Sequence, residues 1–257
     1  MLGSRRPVVY GAPPNQVADL HVPHAPPPWP VIVLFHGGFW RAQYGRLLMR
    51  PLARSLARGG YAVWNVEYRR VGQPGGGWPG TFEDVAGAMD ALEDLDPRLD
   101  LTRVITLGHS AGGHLALWVA ARHRLPADAP GAAPRVRPTA AVSLAGVPDL
   151  AAAARGGAGG AVAEFLGALP FEEPRRYALA SPITLVPLGI PQLLVHGAAD
   201  VTVSPRQSQR YVAAARAAGD AVELLELPGV GHRSPIVPLS ATWRAVARRL
   251  PALVGGL

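Results

Sequence analysis

Short, largely apolar runs alternate along this chain with longer amphipathic ones. Val31 to Phe35, Tyr61 to Val66, Arg103 to Leu107, Thr139 to Leu144, Gln192 to His196 and Ala221 to Leu227 have the length and residue types of strands. Between them the spacing predicts helices. One ends at Arg58, with Pro51 in or near its first turns and Gly59-Gly60 closing it. A second runs from a Thr81 cap to about Leu95, with Glu83 and Asp84 in its first turn. Three more cover Ala111 to Arg122, Pro205 to Ala218 and Leu239 to Leu250. Strands apolar on both faces belong in a parallel sheet covered by helices on each side, so the predicted class is α/β. Upstream, Val17, Asp19 and His21 alternate with Ala18, Leu20 and Val22, the period of an edge strand, and Pro26 to Pro28 form a stiff connector. Residues 147 to 180 are irregular and Ala/Gly-rich. That stretch is too short for its own core, so it reads as a small cap insertion in a single domain spanning 1–257.

Composition narrows the partners. The 257 residues are 49% hydrophobic and 17% charged, and all 25 basic residues are Arg against 18 acids, a net charge of +7. Such a balance raises nucleic acid as a partner. Yet the positive charge is not gathered into one run, and 81 to 100 carries seven acids against Arg98 alone. Arg46, Arg50, Arg54 and Arg58, four apart and opposite Leu48, Leu52 and Leu56, read as a solvated helix face. No nucleic-acid partner is expected. Cysteine is absent, which excludes disulfides and thiolate chemistry. Met1 to Gly11 lacks the apolar stretch of a secretory signal. The longest uncharged stretch, Tyr177 to Ala199, is interrupted by Pro182, Pro187 and Pro191, so no transmembrane helix is predicted. A cytoplasmic monomer or homodimer with a small-molecule substrate and no membrane partner is the expectation.

Candidate chemistry sits at the predicted strand ends. Gly108-His109-Ser110-Ala111-Gly112 is a G-x-S-x-G pattern where a strand meets a helix. Small flanking residues let a serine occupy a sharp turn with its Oγ exposed, and the helix N-terminus offers free N–H groups to a developing anion. Asp200 follows the strand ending at His196, and His232 follows the next strand on a Gly-rich loop. The order serine, acid, histidine predicts Ser110 as nucleophile, His232 as base and Asp200 as the group that orients the ring.

His36-Gly37-Gly38-Phe39-Trp40 follows the first apolar strand. The backbone N–H groups of Gly38, Phe39 and Ala111 are the expected oxyanion donors. Trp40 and His109 are expected to line the substrate site, Trp40 by stacking on an aromatic group. His36 and His114 read as structural. The eight histidines contain no H-E-x-x-H, and no nucleotide-loop pattern is present, so neither a metal nor another cofactor is expected.

These pieces resemble the α/β-hydrolase-fold esterases related to the arylformamidases of the kynurenine formamidase type and to bacterial feruloyl and acetyl esterases. The resemblance lies in HGGFW at 36–40, EYR at 67–69, GHSAGGHLA at 108–116, LAGVPDL at 144–150, SP at 181–182, HGAAD at 196–200 and PGVGH at 228–232. It implies cofactor-free hydrolysis of a small ester or aryl formamide, with Ser110, Asp200 and His232 at the triad positions. Phe39, where many lipolytic relatives have glycine, turns the resemblance toward the formamidase-like branch. The alternative is a non-catalytic ligand-binding protein on the same fold, which would be expected to lack a triad member.

Overall fold

In a computed structural model, which describes residues 4–156 and 159–255, eight strands form one sheet in the order β1-β2-β4-β3-β5-β6-β7-β8. They are β1 Arg5–Val9, β2 Val17–His21, β3 Trp29–Phe35, β4 Ala62–Val66, β5 Leu99–His109, β6 Ala140–Leu144, β7 Gln192–Gly197 and β8 Val222–Leu227. β1 and β2 run antiparallel to their neighbours, and β4 through β8 with β3 are mutually parallel. The helices are α1 Arg50–Arg58, α2 Gly80–Asp90, α3 Ala111–Ala121, α4 Leu150–Ala154, α5 Gly159–Leu166, α6 Pro174–Ala180, α7 Arg206–Ala217, α8 Ala241–Ala247 and α9 Leu250–Leu253. This is the α/β-hydrolase architecture.

The apolar strands divide their side chains between two layers. In β3, Val31, Val33 and Phe35 join a core completed by α2 to α7, whereas Ile32 and Leu34 face Leu52 and Leu56 of α1 and Trp243 and Val246 of α8. Continuous apolar runs are what a sheet covered on both sides requires.

Several local expectations are corrected. β2 is not an edge strand, because β1 pairs outside it. Exposed arginines and Pro7 in β1 hide any strand period there. Asp19 and His21, on the face expected to be solvated, are therefore buried beneath covering arginines. Arg50 Nε lies 2.9 Å from Asp19 Oδ2, Arg46 3.6 Å from the same oxygen, and Arg5 2.9 Å from Oδ1. The arginine row is thus only half a solvated face, since Arg46 and Arg50 turn inward to a buried carboxylate while Arg54 and Arg58 stay exposed. Thr81 does not cap α2, which begins one residue earlier; its hydroxyl instead donates to the Arg69 carbonyl at 2.5 Å and accepts the Gly77 N–H. The Leu239 to Leu250 helix breaks into α8, capped by Ser240, and α9. Within 147–180 the irregular stretch holds α4, α5 and α6, whose apolar residues extend the α2–α7 core.

Candidate active site

Every expected chemical group emerges from the same edge of the sheet, just beyond the C-terminal ends of parallel strands, where open α/β sheets form their clefts. β5 delivers Ser110, β7 delivers Asp200, and the loop after β8 delivers His232.

Ser110 has φ 57° and ψ −121°, a backbone conformation an L residue adopts only when its surroundings enforce it. Packing on either side does so. A Cβ at Gly108 would meet the Gly112 carbonyl oxygen at 2.0 Å, and one at Gly112 would meet the Phe35 carbonyl oxygen at 2.2 Å. Only glycine lets the turn press this closely against β3 and its own helix. The result lifts Ser110 to the head of α3, where the Ala111 N–H is one of the donors a helix leaves unpaired.

His232 Nδ1 donates to Asp200 Oδ2 at 2.7 Å. The other oxygen, Oδ1, accepts the backbone N–H groups of Thr202 and Val203 at 2.8 and 2.9 Å. A second imidazole also faces the carboxylate: His196 Nε2 lies 3.3 Å from Oδ2 and donates to the Val203 carbonyl at 2.9 Å. The hydroxyl of Ser208 sits 2.7 Å from His196 Nδ1 and serves as its donor. Burial alone would raise the pKa of Asp200, but the hydrogen bonds from His196, His232 and the Val203 N–H hold it well below the usual carboxylate range. Ser110 and His232 line one cleft, with no hydrogen bond from Ser110 Oγ among the described residues. Such bonds tighten when substrate enters.

On the opposite wall, Gly38, Phe39 and Trp40 all have positive φ, at 118°, 56° and 55°. The N–H groups of Gly38 and Phe39 find no backbone acceptor among the described residues. His36 braces this loop: its Nε2 lies 2.8 Å from Glu67 Oε1 and its Nδ1 2.8 Å from the Gly37 carbonyl. The ring stacks on Tyr68 at 4.3 Å, and the Tyr68 hydroxyl donates to the His36 carbonyl at 2.7 Å. Burial opposes the charge of Glu67, and the hydrogen bond from His36, aided by the charges of His36 and Arg70, outweighs it and lowers the pKa.

The structure sends one of the two expected pocket residues elsewhere. Trp40 is buried and stacks on Phe165 of α5, so it faces the core rather than the cleft. Its indole N–H donates to His114 Nδ1 at 3.3 Å, and His114 Nε2 donates to the Ala180 carbonyl at 2.8 Å. His109 does border the cleft, yet its Nε2–H is held by the His232 carbonyl at 2.8 Å, which makes it a brace for the histidine loop. Burial, reinforced for His109 by His232, lowers the pKa of both His109 and His114 to about 4.

Sequence reasoning missed Glu67, His196 and Ser208, as well as the cleft's aliphatic wall. That wall comprises Leu48, Met49, Ile236 and Val237, with Phe39 and Tyr44 alongside, around a cleft of about 530 Å³. Glu67 stands just past a strand end, a position that could have singled it out; His196 stands out by its place at a strand end, but its bond to Asp200 was not foreseen. Among the described residues no group of three or more His, Asp or Glu side chains is placed to hold a metal ion.

Comparison with known proteins places these features in context. Esterase LipQ of Mycobacterium tuberculosis is 30% identical over 219 residues, 79% of this chain and 50% of the relative. A probable isoprenylcysteine alpha-carbonyl methylesterase of Oryza sativa is 32% identical over 118 residues, 43% of this chain and 27% of the relative. The chain therefore spans half or less of the length of these curated relatives. A truncated carbohydrate esterase from gut microbiota superposes with a TM-score of 0.86 at 20% identity, covering 99% of this chain and 97% of the other. Esterase B from Lactobacillus Rhamnosis superposes at 0.83 with 25% identity, covering 98% and 86%. The family model BD-FAE matches residues 18–214, from β2 through the larger part of α7, and this chain belongs to the BD-FAE family.

Proposed function

We propose that the chain is a serine hydrolase of small carboxylic esters that works through an acyl-enzyme. The observation that carries this reading is the 2.7 Å bond from His232 Nδ1 to a deeply stabilised Asp200, on the cleft that also holds the strained Ser110. His232 Nε2 takes the proton from Ser110 Oγ as that oxygen attacks the ester carbonyl carbon. The carbonyl oxygen gains charge and is received by the N–H groups of Gly38, Phe39 and Ala111, donors worth about 3 kcal/mol each in such sites. His232 then returns the proton to the departing alkoxide, leaving the acyl group on Ser110. Water, deprotonated by the same imidazole, releases the acid and restores the serine. Asp200 fixes the Nδ1–H tautomer and stabilises the imidazolium, without itself taking the proton.

Esters are preferred over aryl formamides as the substrate class. LipQ and the rice relative are both named for ester cleavage, and the aromatic contact invoked for a formamide falls to Phe39 alone once Trp40 is in the core. The test is turnover of short p-nitrophenyl esters, feruloyl esters and N-formylkynurenine by purified protein, with Ser110→Ala as control. Ester turnover lost in that variant supports the reading; N-formylkynurenine turnover exceeding that of every ester would move the assignment to the formamide. Absence of turnover on all of them, with intact fold, would favour a ligand-binding role.

A further inference from the structure

Nine large apolar side chains are exposed among the described residues, and six of them either line one cleft or directly adjoin one of its lining residues along the chain. Tyr44, Leu48 and Val237 line it, and Leu47, Val201 and Leu239 are each one residue from a lining position. Leu239 is 84% exposed and Val201 99%. Scattered singly, such residues need no explanation; gathered around one opening they mark a contact surface.

The charge of the two chain segments that border that opening is one-sided. Residues 36–66 and 228–257, which supply most of the cleft lining, contain nine arginines and not a single Asp or Glu. Arg41, Arg46, Arg50 and Arg249 pair with carboxylates from elsewhere in the chain. Arg54, Arg58, Arg233, Arg244 and Arg248 are exposed and have no carboxylate partner among the described residues. The two segments form one face: α1 and α8 pack side by side in the same core layer, and Trp243 Nε1 donates to Ser55 Oγ at 3.3 Å.

We infer that this face docks on an anionic lipid surface, with the aliphatic lip entering the headgroup boundary and the arginines meeting the headgroups. Apolar side chains bordered by cations are the features that bind a protein to such an interface without spanning it. No described helix is long and apolar enough to cross a membrane, so the contact is peripheral. A nucleic acid would use the arginines and leave the lip without a role, and two copies of so basic a face repel one another. The inference revises the expectation of no membrane partner. Its functional meaning, that substrate is drawn from the lipid phase, rests on the cleft being catalytic; the docking itself does not.

The test is flotation of the full chain, and of Ser110→Ala, with vesicles of phosphatidylcholine alone or mixed with phosphatidylglycerol. Two surface pairs are compared, Leu47→Ser with Leu239→Ser and Arg58→Glu with Arg248→Glu. Binding is expected on the mixed vesicles only, weakened by salt, and reduced at least about tenfold by each pair. Circular dichroism and turnover of a soluble acetate ester should stay unchanged in both pairs, which keeps loss of docking apart from loss of folding or catalysis. Absence of binding to mixed vesicles, or binding that neither pair reduces, overturns the inference. So does salt-sensitive retention on DNA that the arginine pair abolishes and the leucine pair spares, or vesicle-free self-association that the leucine pair removes. Failure of the esterase reading would show separately, as vesicle binding without ester turnover.

Discussion

Trp40 lies flat against Phe165, their rings 4.5 Å apart and within 8° of parallel. One residue belongs to the loop that carries Gly38 and Phe39, the other to α5, so the stack ties the 147–180 segment to that loop. Trp40→Ala should then act first on stability. Removing a buried tryptophan costs about 3–5 kcal/mol, a melting loss on the order of 10 °C in a chain this long. Kinetic losses should be equal for aryl and alkyl acetates; a selective loss on aryl substrates with unchanged melting would return the ring to the pocket.

Ser110→Ala and His232→Ala should each lower kcat by roughly 10⁴-fold or more, because members of such a unit fail together. Asp200→Asn has a further cost. Oδ1 accepts two backbone N–H groups and Oδ2 faces two imidazole donors, so either orientation of an amide points its NH₂ at another donor. Expected are a kcat loss of about 10⁴-fold and a lower melting temperature, measured on the same samples. Fluorophosphonate labelling should reach wild type and miss Ser110→Ala.

Glu67 binds His36 and accepts the Arg46 N–H, and Arg70 Nη1 lies 3.2 Å away. Removing one partner from a buried charged cluster costs about 3–5 kcal/mol. Glu67→Ala should therefore melt early and, where still folded, lose kcat more than it raises KM, since the loop it braces carries the proposed oxyanion donors Gly38 and Phe39. An unaltered kcat in the folded protein would separate the brace from the loop's function.

Acid should destabilise the fold in a defined window. His109 and His114 have folded pKa values of about 4 against 6.5 for the free ring, lowered chiefly by burial. The unfolded chain binds their protons first, so the stability they contribute is complete above about pH 6.5 and falls as pH drops toward 4. Each group adds about 1.4 kcal/mol per pH unit inside that window. Melting curves from pH 7 to 4 should show the decline, and His114→Gln, though less stable at pH 7, should show a shallower one. A pH-independent melting temperature would contradict the neutral, buried state of these rings.

Much of this arrangement was legible in the chain because parallel strands buried on both faces have a distinctive apolar signature, and because Ser110 and Asp200 follow such strands closely and His232 follows the next strand, β8. What was not legible shares one cause. The fate of Trp40, the burial of Asp19 under Arg46 and Arg50, and the helices of 147–180 are decided by partners distant in sequence, such as Phe165 and β1. An alanine-rich segment carries no amphipathic period to announce its helices. The cleft wall escaped notice for the same reason, since Leu48 and Val237 look like ordinary aliphatic residues until the turn before α1 and the loop before α8 bring them together.

That aliphatic wall leads to the last expectation, on substrate size. On the proposed ester reading, the cleft of about 530 Å³ holds both acyl and alcohol portions, with Leu48, Met49, Ile236 and Val237 as its apolar boundary. That volume falls in the lower half of the range for small-ligand sites. Its lip is open, Leu48 and Val237 each being about half exposed. An open lip shields little of a long chain from water, so each methylene beyond the first few should add less than the ~0.8 kcal/mol of full burial. Across p-nitrophenyl esters, kcat/KM should rise from acetate to butyrate or hexanoate and then decline. Leu48→Trp, which fills the cleft from the α1 side, should lower turnover of hexanoate far more than of acetate while leaving the melting temperature in place, because the residue is at the surface. A maximum at decanoate or longer in wild type, or equal losses on both esters in the variant, would show that the acyl chain lies elsewhere.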